Sequence, residues 1–283
     1  MNMDKIFETL SLTTSCHSPF SKEYLELESQ LLHILQSSSL AEGGDGEIDF
    51  WNFGSLVIPH RRMGAITSLE LFGLDELIIF LFYKINQSRY KSVSDIGANI
   101  GLHSVILSKC GYDVQSYEPD ANHIEVINQH AKLNNISNIH INQAAVSDHN
   151  GTVEFTRVLG NTTGSHISGS KENPYGELEK FTVDTIALPD IMKNSDLIKM
   201  DIEGHEAQAI LATAPEDWDN VDMMLEVGTV ENASLIFNHI TKLGLNMFSQ
   251  KNGWSQGSAL EDLPTSYKEG SLFLTKKDSM QWL

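Results

Sequence analysis

The chain has 283 residues, 41% hydrophobic and 20% charged, which suits one large domain, or a domain with an N-terminal extension, and excludes general disorder. Its 38 acidic and 19 basic residues leave a net charge of −19. That charge argues against a nucleic-acid partner and against docking on an anionic membrane. Two cysteines, Cys16 and Cys110, build neither a disulfide framework nor a zinc cluster. With no basic-then-apolar leader, and with the longest apolar run (77–83) too short to span a bilayer, a cytoplasmic protein is expected.

Residues 22–36 place Tyr24, Leu27, Leu31 and Leu35 on one helical face, an amphipathic surface that could serve a homodimer. A polar, Gly-rich loop follows over 37–47, then an alternating stretch over 49–59 that predicts a hairpin turning near Asn52–Gly54. A second helix is predicted over 73–88, with Leu74, Leu77, Ile78, Leu81 and Ile85 on a shared face. Residues 1–90 therefore form an N-terminal extension, and 91–283 the main domain.

From residue 92 strands and helices alternate. Strands are predicted at "SVSDI", "DVQSYEP", "IHINQAAV", "TVEFTRV", "DLIKMDI" (196–202) and "VDMMLEV" (221–227). Helices are predicted at "GLHSVILSKC", "ANHIEVINQHAKLNN", "GHEAQAILATA" and around Leu235, Ile236, Ile240 and Leu243. Such βα units give a doubly wound, mostly parallel sheet with helices on both faces. Two last strands, near 245–249 and 271–276, have no long helix between them and predict an antiparallel hairpin at the sheet edge. The segment 159–180 is polar and rich in small residues, and is expected to be a substrate lid.

Ligands of open parallel sheets sit beyond the strands' carboxyl ends, where "SDIGANIG" (94–101) lies. The dinucleotide pattern G-x-G-x-x-G fails here, since Asn99 and Leu102 stand at its second and third glycine places. Gly97 and Gly101 are expected to let a ligand approach the backbone, with Asn99 tolerating a left-handed conformation. Asp95, two residues before Gly97, would repel a pyrophosphate and suit an amino group. Glu118, 21 residues after Gly97 and followed by Pro119, stands where an acid accepts from ribose hydroxyls. A nucleoside with a ribose, an ammonium and no phosphate describes S-adenosylmethionine. Taken singly, these acids are equally well helix caps and surface charges.

On "DIGANIG", "YEPD", "AAVSDHNGTVEF" and above all "DLIKMDIEGHEAQAIL", the chain resembles the FkbM family of class I S-adenosylmethionine-dependent methyltransferases over about residues 90–230. The resemblance implies a Rossmann-like α/β fold with a seven-stranded sheet containing one antiparallel strand. It implies S-adenosylmethionine as cofactor and S-adenosylhomocysteine as product. It also implies an adenine slot at Ala145 and Val146, with Ala144 giving room, and O-methylation of a small-molecule acceptor, a sugar or secondary metabolite.

Methyl transfer from a sulfonium chiefly requires an aligned and deprotonated acceptor. Asp201, Glu203, His205 and Glu226, at two adjacent strand ends, are the catalytic candidates, with Asp201 also near the cofactor. Lys199 shares a face with Asp201 and can pair with a nearby acid. Glu206 reads as a first-turn helix acid. Glu70, after Thr67 and Ser68, either reaches the methionine amino group or caps the next helix. Should these acids not act, His166 in the lid is the next candidate. Some sugar O-methyltransferases resembling the family use magnesium, for which Asp201, Glu203 and Glu226 would be the ligands; no metal motif is complete, so none is assigned. Two other readings remain: a nicotinamide-dependent oxidoreductase, against which Asp95 and the broken glycine pattern speak, and a catalytically silent cofactor-binding scaffold.

Overall fold

A computed structural model describes residues 2–171, 176–280 and 282. The N-terminal segment carries helices α1 (Met3–Leu12), α2 (Lys22–Gln36) and α3 (Leu74–Ile85), with hairpins β1–β2 (Glu47–Asp49, Ser55–Val57) and β3–β4 (Arg62–Met63, Ile66–Thr67). α2 and the first hairpin occupy the predicted places. α1 was not anticipated: Asn2 caps it by accepting from the Lys5 N–H at 3.1 Å, and Ile6, Phe7 and Leu10 bury its inner face. α3 stops short of the predicted end, because Asn86 closes the last turn on the Phe82 carbonyl; Ile85, expected on the inner face, is 36% exposed.

The strands that follow are β5 (Ser92–Ile96), β6 (Asp113–Tyr117), β7 (Ile139–Asn142), β8 (Ala145–Ser147), β9 (Gly151–Val158), β10 (His166–Ile167) and β11 (Leu178–Ala187). They continue with β12 (Leu197–Met200), β13 (Asp222–Glu226), β14 (Asn246–Ser249), β15 (Ser255–Gln256) and β16 (Ser271–Thr275). Helices α4 (Leu102–Lys109), α5 (Ala121–Leu133), α6 (Leu188–Met192), α7 (Glu206–Leu211) and α8 (Val230–Leu243) connect them. The central sheet runs β15-β14-β16-β13-β12-β5-β6-β7, parallel from β13 to β7. β16 inserts antiparallel between β13 and β14, so β14 and β16 make the expected antiparallel pair. The two residues of β15 add an eighth strand to the seven expected. The chain leaves β5 toward β6 and later returns to β12 on the other side, which puts the topological switch between β5 and β12.

The inner strands are buried on both faces. In β12 and β13, Leu197 and Met224 enter one core, and Ile198, Met200, Met223 and Leu225 the other. The first core also takes in the N-terminal helices and the C-terminal strands. There His17 accepts from Trp254 Nε1 at 3.1 Å, across 237 residues of sequence, and its ring packs edge-on against Trp282 at 4.7 Å.

A second sheet, β10-β9-β11-β8, departs from prediction. The single strand expected over 139–146 breaks at Gln143–Ala144, sending β7 into the central sheet and β8 into the second. β11 was missed because half of it is exposed, so its apolar alternation is carried by few residues, chiefly Phe181 and Val183. Its first three residues fall in the segment expected to be a lid; the rest of 159–180 holds a 3₁₀ turn at Thr162–Gly164 and β10, and 172–175 lie outside the described residues. No helix among the described residues is long and apolar enough to cross a membrane.

Candidate active site

A cleft of about 390 Å³ opens over the carboxyl ends of β5, β6 and β12. Its floor is the glycine turn. Gly97 has φ +76°, and a Cβ there would lie 1.8 Å from the Asp201 carbonyl oxygen. At Gly101, φ +82°, a Cβ would sit 3.0 Å from Ile127. The two glycines therefore serve close approach between parts of the protein, the first to the β12 end and the second to α5; only Gly97 also faces the cleft. That corrects the sequence expectation for Gly101. Asn99 adopts the expected left-handed conformation, φ 52°, and its side-chain oxygen is buried without a hydrogen-bond partner.

Glu118 is 4% exposed and lines the cleft beside Pro119. Its carboxylate accepts from the Asn99 N–H at 2.8 Å and from the Asp120 N–H at 2.9 Å. A carboxylate accepts about four hydrogen bonds, so lone pairs remain for two hydroxyls. His123, 3.6 Å away, was not foreseen. Burial opposes its charge, but Glu118 outweighs that and holds the imidazole above its ordinary value.

Asp95 departs from expectation. It is wholly buried under the turn and off the cleft wall, where Ser104 donates to Oδ2 at 2.5 Å and Lys199 Nζ stands 3.8 Å from Oδ1. Its inward position on a central strand puts the turn between this carboxylate and the cleft, and Oδ1 has no hydrogen-bond partner. Lys199 also stands 3.9 Å from Asp201, as the shared face predicted.

The acidic end of the cleft brings Asp201, Glu203 and Glu226 together. Glu203 has φ 57°, and Gly204 follows at φ 102°. This left-handed pair is folded by Glu206, which accepts from the N–H groups of Ile202 and Gly204 at 3.0 and 3.1 Å and from Asn232 Nδ2 at 3.1 Å. Glu206 thus holds the turn that presents Glu203. Burial, with Asp201 alongside, pushes the Glu203 carboxyl up to about 7, although Lys171 pairs with it. Burial, with Asp201 and Glu203 beside it, raises the Glu226 carboxyl well above the usual carboxylate range.

His205 lies outside the cleft. Its Nε2 meets Ser147 Oγ at 2.9 Å and its Nδ1 meets Ser170 Oγ at 3.1 Å, so both ring nitrogens tie β8 to the 165–171 loop. The helix that begins one residue later turns the ring away from Glu203, and burial lowers its pKa. His166 is likewise engaged away from the cleft wall, by Nδ1 on the Gly164 carbonyl at 2.9 Å.

Ala145 and Val146 line the cleft with Ala144, all three buried, and Phe155 and Ile167 from the second sheet complete an apolar wall. Glu70 reaches the cleft from the N-terminal segment, its carboxylate accepting from the Thr67 N–H at 2.8 Å and from its hydroxyl. Despite some burial, those bonds hold its carboxyl below the usual range. Glu76, also unforeseen, lines the cleft from α3; its Oε2 meets His103 Nε2 at 2.8 Å, and His103 Nδ1 meets Tyr83 Oη at 3.0 Å. Its signal lay in the helical period, since Glu76 is a polar residue within a stripe otherwise wholly apolar. Among the described residues no group of three or more His, Cys, Asp or Glu is placed to hold a metal ion.

Solved structures similar in fold include a precorrin-6y C5,15-methyltransferase from Geobacter metallireducens, 10% identical, TM-score 0.40, covering 76% of this chain and 96% of that one. Another is a ribosomal protein L11 methylase from Lactobacillus delbrueckii subsp. bulgaricus, 11% identical, TM-score 0.39, covering 70% and 75%. A third, a putative RNA methyltransferase from Pyrococcus horikoshii, is 11% identical with TM-score 0.36, covering 70% and 82%. No curated protein matches the sequence. The model of the methyltransferase FkbM domain matches residues 95–248, more than half the chain. The chain therefore belongs to the FkbM methyltransferase family.

Proposed function

We propose that this protein transfers the methyl group of S-adenosylmethionine to a hydroxyl of a small polar acceptor, a sugar or secondary metabolite. The residues present fit the cofactor. Glu118 has acceptor capacity left for the ribose, Asn99 has a buried oxygen without a donor, and Ala144 to Val146 leave an apolar slot. Six carboxylates on the wall, from Glu70 to Glu226, favour a ligand bearing positive charge. The same carboxylates disfavour the pyrophosphate of a nicotinamide dinucleotide.

When bound, S-adenosylmethionine would supply an electrophilic methyl carbon, open to attack by an acceptor oxygen with S-adenosylhomocysteine leaving as the neutral thioether. The chain's residues have then to orient that oxygen and take its proton. The observation that carries O-methylation is the Glu203 carboxyl, pushed up to about 7. A base poised near neutrality suits a hydroxyl, whose proton must leave as the new bond forms. Glu226, whose carboxyl burial and then Asp201 and Glu203 raise well above the usual range, orients the acceptor by a hydrogen bond. Asp201, with Lys199 3.9 Å behind it, stands beside Glu203 and adds to the rise of its carboxyl. The resulting reading is tested by incubating the protein with methyl-labelled cofactor and fractionated small metabolites. Label on an ether oxygen supports it, label on nitrogen or carbon refutes O-methylation, and no transfer to any fraction favours the silent scaffold.

A further inference from the structure

Beside the cleft lies a groove of about 290 Å³ with the opposite electrical character. The chain has only four arginines, and three of them, Arg61, Arg62 and Arg157, line this groove. In a protein of net charge −19 this placement calls for a local reason.

Hairpin β3–β4 forms one wall and the start of α5 the other. The hairpin is strapped to the 159–162 loop, where the Ala65 N–H donates to the Gly160 carbonyl at 2.7 Å and Gly64 bridges Asn161. A Cβ on Gly64 would lie 2.2 Å from that carbonyl oxygen, so the strap needs glycine there.

The acid in the groove is already answered. Arg157 grips Asp120 with Nε to Oδ2 and Nη2 to Oδ1, both at 2.6 Å, and also pairs with Glu179 at 2.5 Å. Arg61 reaches only the neutral Gln129, at 3.3 Å, and Arg62 has no side-chain partner among the described residues. Both are exposed. His123 and Thr162 line both groove and cleft, so whatever fills the groove reaches the edge of the cleft. The groove also faces the first turn of α5, whose N–H groups add a partial positive charge.

We propose that this groove seats a phosphate ester on the methyl acceptor, so that the substrate is a phosphorylated or diphosphate-linked polar molecule rather than a free one. Two guanidiniums without an acidic partner present forked donors that match the several oxygens of a phosphate better than a single carboxylate. The volume exceeds that of an isolated ion and accommodates the ester's neighbouring atoms. The inference rests on the methyltransferase reading above.

The test titrates pyrophosphate, and separately malonate, into the protein saturated with S-adenosylhomocysteine. It uses the parent chain and an Arg61→Ala/Arg62→Ala double variant. Pyrophosphate should bind the parent more tightly than malonate does, with affinity falling as salt rises, and the double variant should weaken it by about tenfold or more while S-adenosylhomocysteine affinity stays within about twofold. No pyrophosphate binding, equal binding by the variant, or equal binding of malonate overturns the phosphate site. Labelled methyl transfer to matched sugars, free and phosphorylated, then separates an acceptor's ester from free phosphate. Preference for the phosphorylated form, lost in the variant, supports the assignment; equal labelling of both forms by parent and variant overturns it. Failure of the parent to bind S-adenosylhomocysteine would instead refute the methyltransferase reading, while pyrophosphate binding would still report on the groove.

Discussion

Replacing Glu203 by Gln removes a titrating group and keeps its shape and its left-handed backbone, which both residues tolerate equally. The carboxyl moves from 4.5 to about 7 on folding, a rise of 7 − 4.5, or 2.5 units. At about 1.4 kcal/mol per unit, ionising it in the folded protein costs up to about 3 kcal/mol. The sign follows from the direction of the shift. The folded state holds this proton more tightly than the unfolded chain, so the cost is absent below pH 4.5, grows between 4.5 and about 7, and is complete above that. The side chain is 26% exposed and pairs with Lys171, itself 37% exposed, so screening and the lost pair reduce the gain to about 1–2 kcal/mol. Glu203→Gln should therefore resist denaturant better than the parent at pH 8 by that amount, and equal it at pH 4.5. Turnover should fall by about 100-fold, and the parent's turnover should rise with pH through about 7. Denaturant titrations at both pH values and a pH–rate profile measure this. A variant less stable than the parent at pH 8, or one that turns over normally, would refute the electrostatic account of Glu203.

Glu118→Ala should weaken S-adenosylhomocysteine binding by about 1.5–3 kcal/mol in calorimetry, the scale for hydrogen bonds to a charged group, and unchanged affinity would exclude the ribose role. Gly97→Ala places a Cβ 1.8 Å from a carbonyl oxygen. Thermal unfolding should show a loss of about 3 kcal/mol or more, because both the clash and the positive φ oppose it. His205→Gln should leave turnover near the parent's while lowering stability by about 1 kcal/mol, since Ser147 and Ser170 lose an engaged partner; collapse of turnover with the fold intact would give His205 a direct role.

The alternation of buried strands and amphipathic helices was legible because burial on both faces writes apolar runs, as in "VDMMLEV". The second sheet was not, because β11 is half exposed and its polar residues resemble a loop. Local spacing located Glu118, since strand, turn and helix lengths fix where the second strand ends. It misled over Asp95 and His205, whose side-chain directions depend on the turn that seals one and the helix start that rotates the other. His123 reaches the cleft from a helix whose docking no local pattern specifies, whereas Glu76 left a trace as a polar residue in an apolar stripe. The Arg61–Arg62 pair stood in plain view in "PHRRMG", yet its meaning arises only when Arg157 and α5 come alongside.

The core that unites the two ends of the chain bears on how the protein is made. His17 waits for Trp254, 237 residues later, and Phe7, Phe50 and Phe72 belong to the same cluster as Phe273 and Trp282. At a translation rate of about 5–20 residues per second, the N-terminal helices leave the ribosome roughly 10–50 s before the strands that cover them. Through that interval the nascent chain carries bare aromatic surface, and its slowest contacts come last. Shelter for the first ninety residues during synthesis should therefore raise its yield, and a heterologous host that translates faster should shorten the exposure.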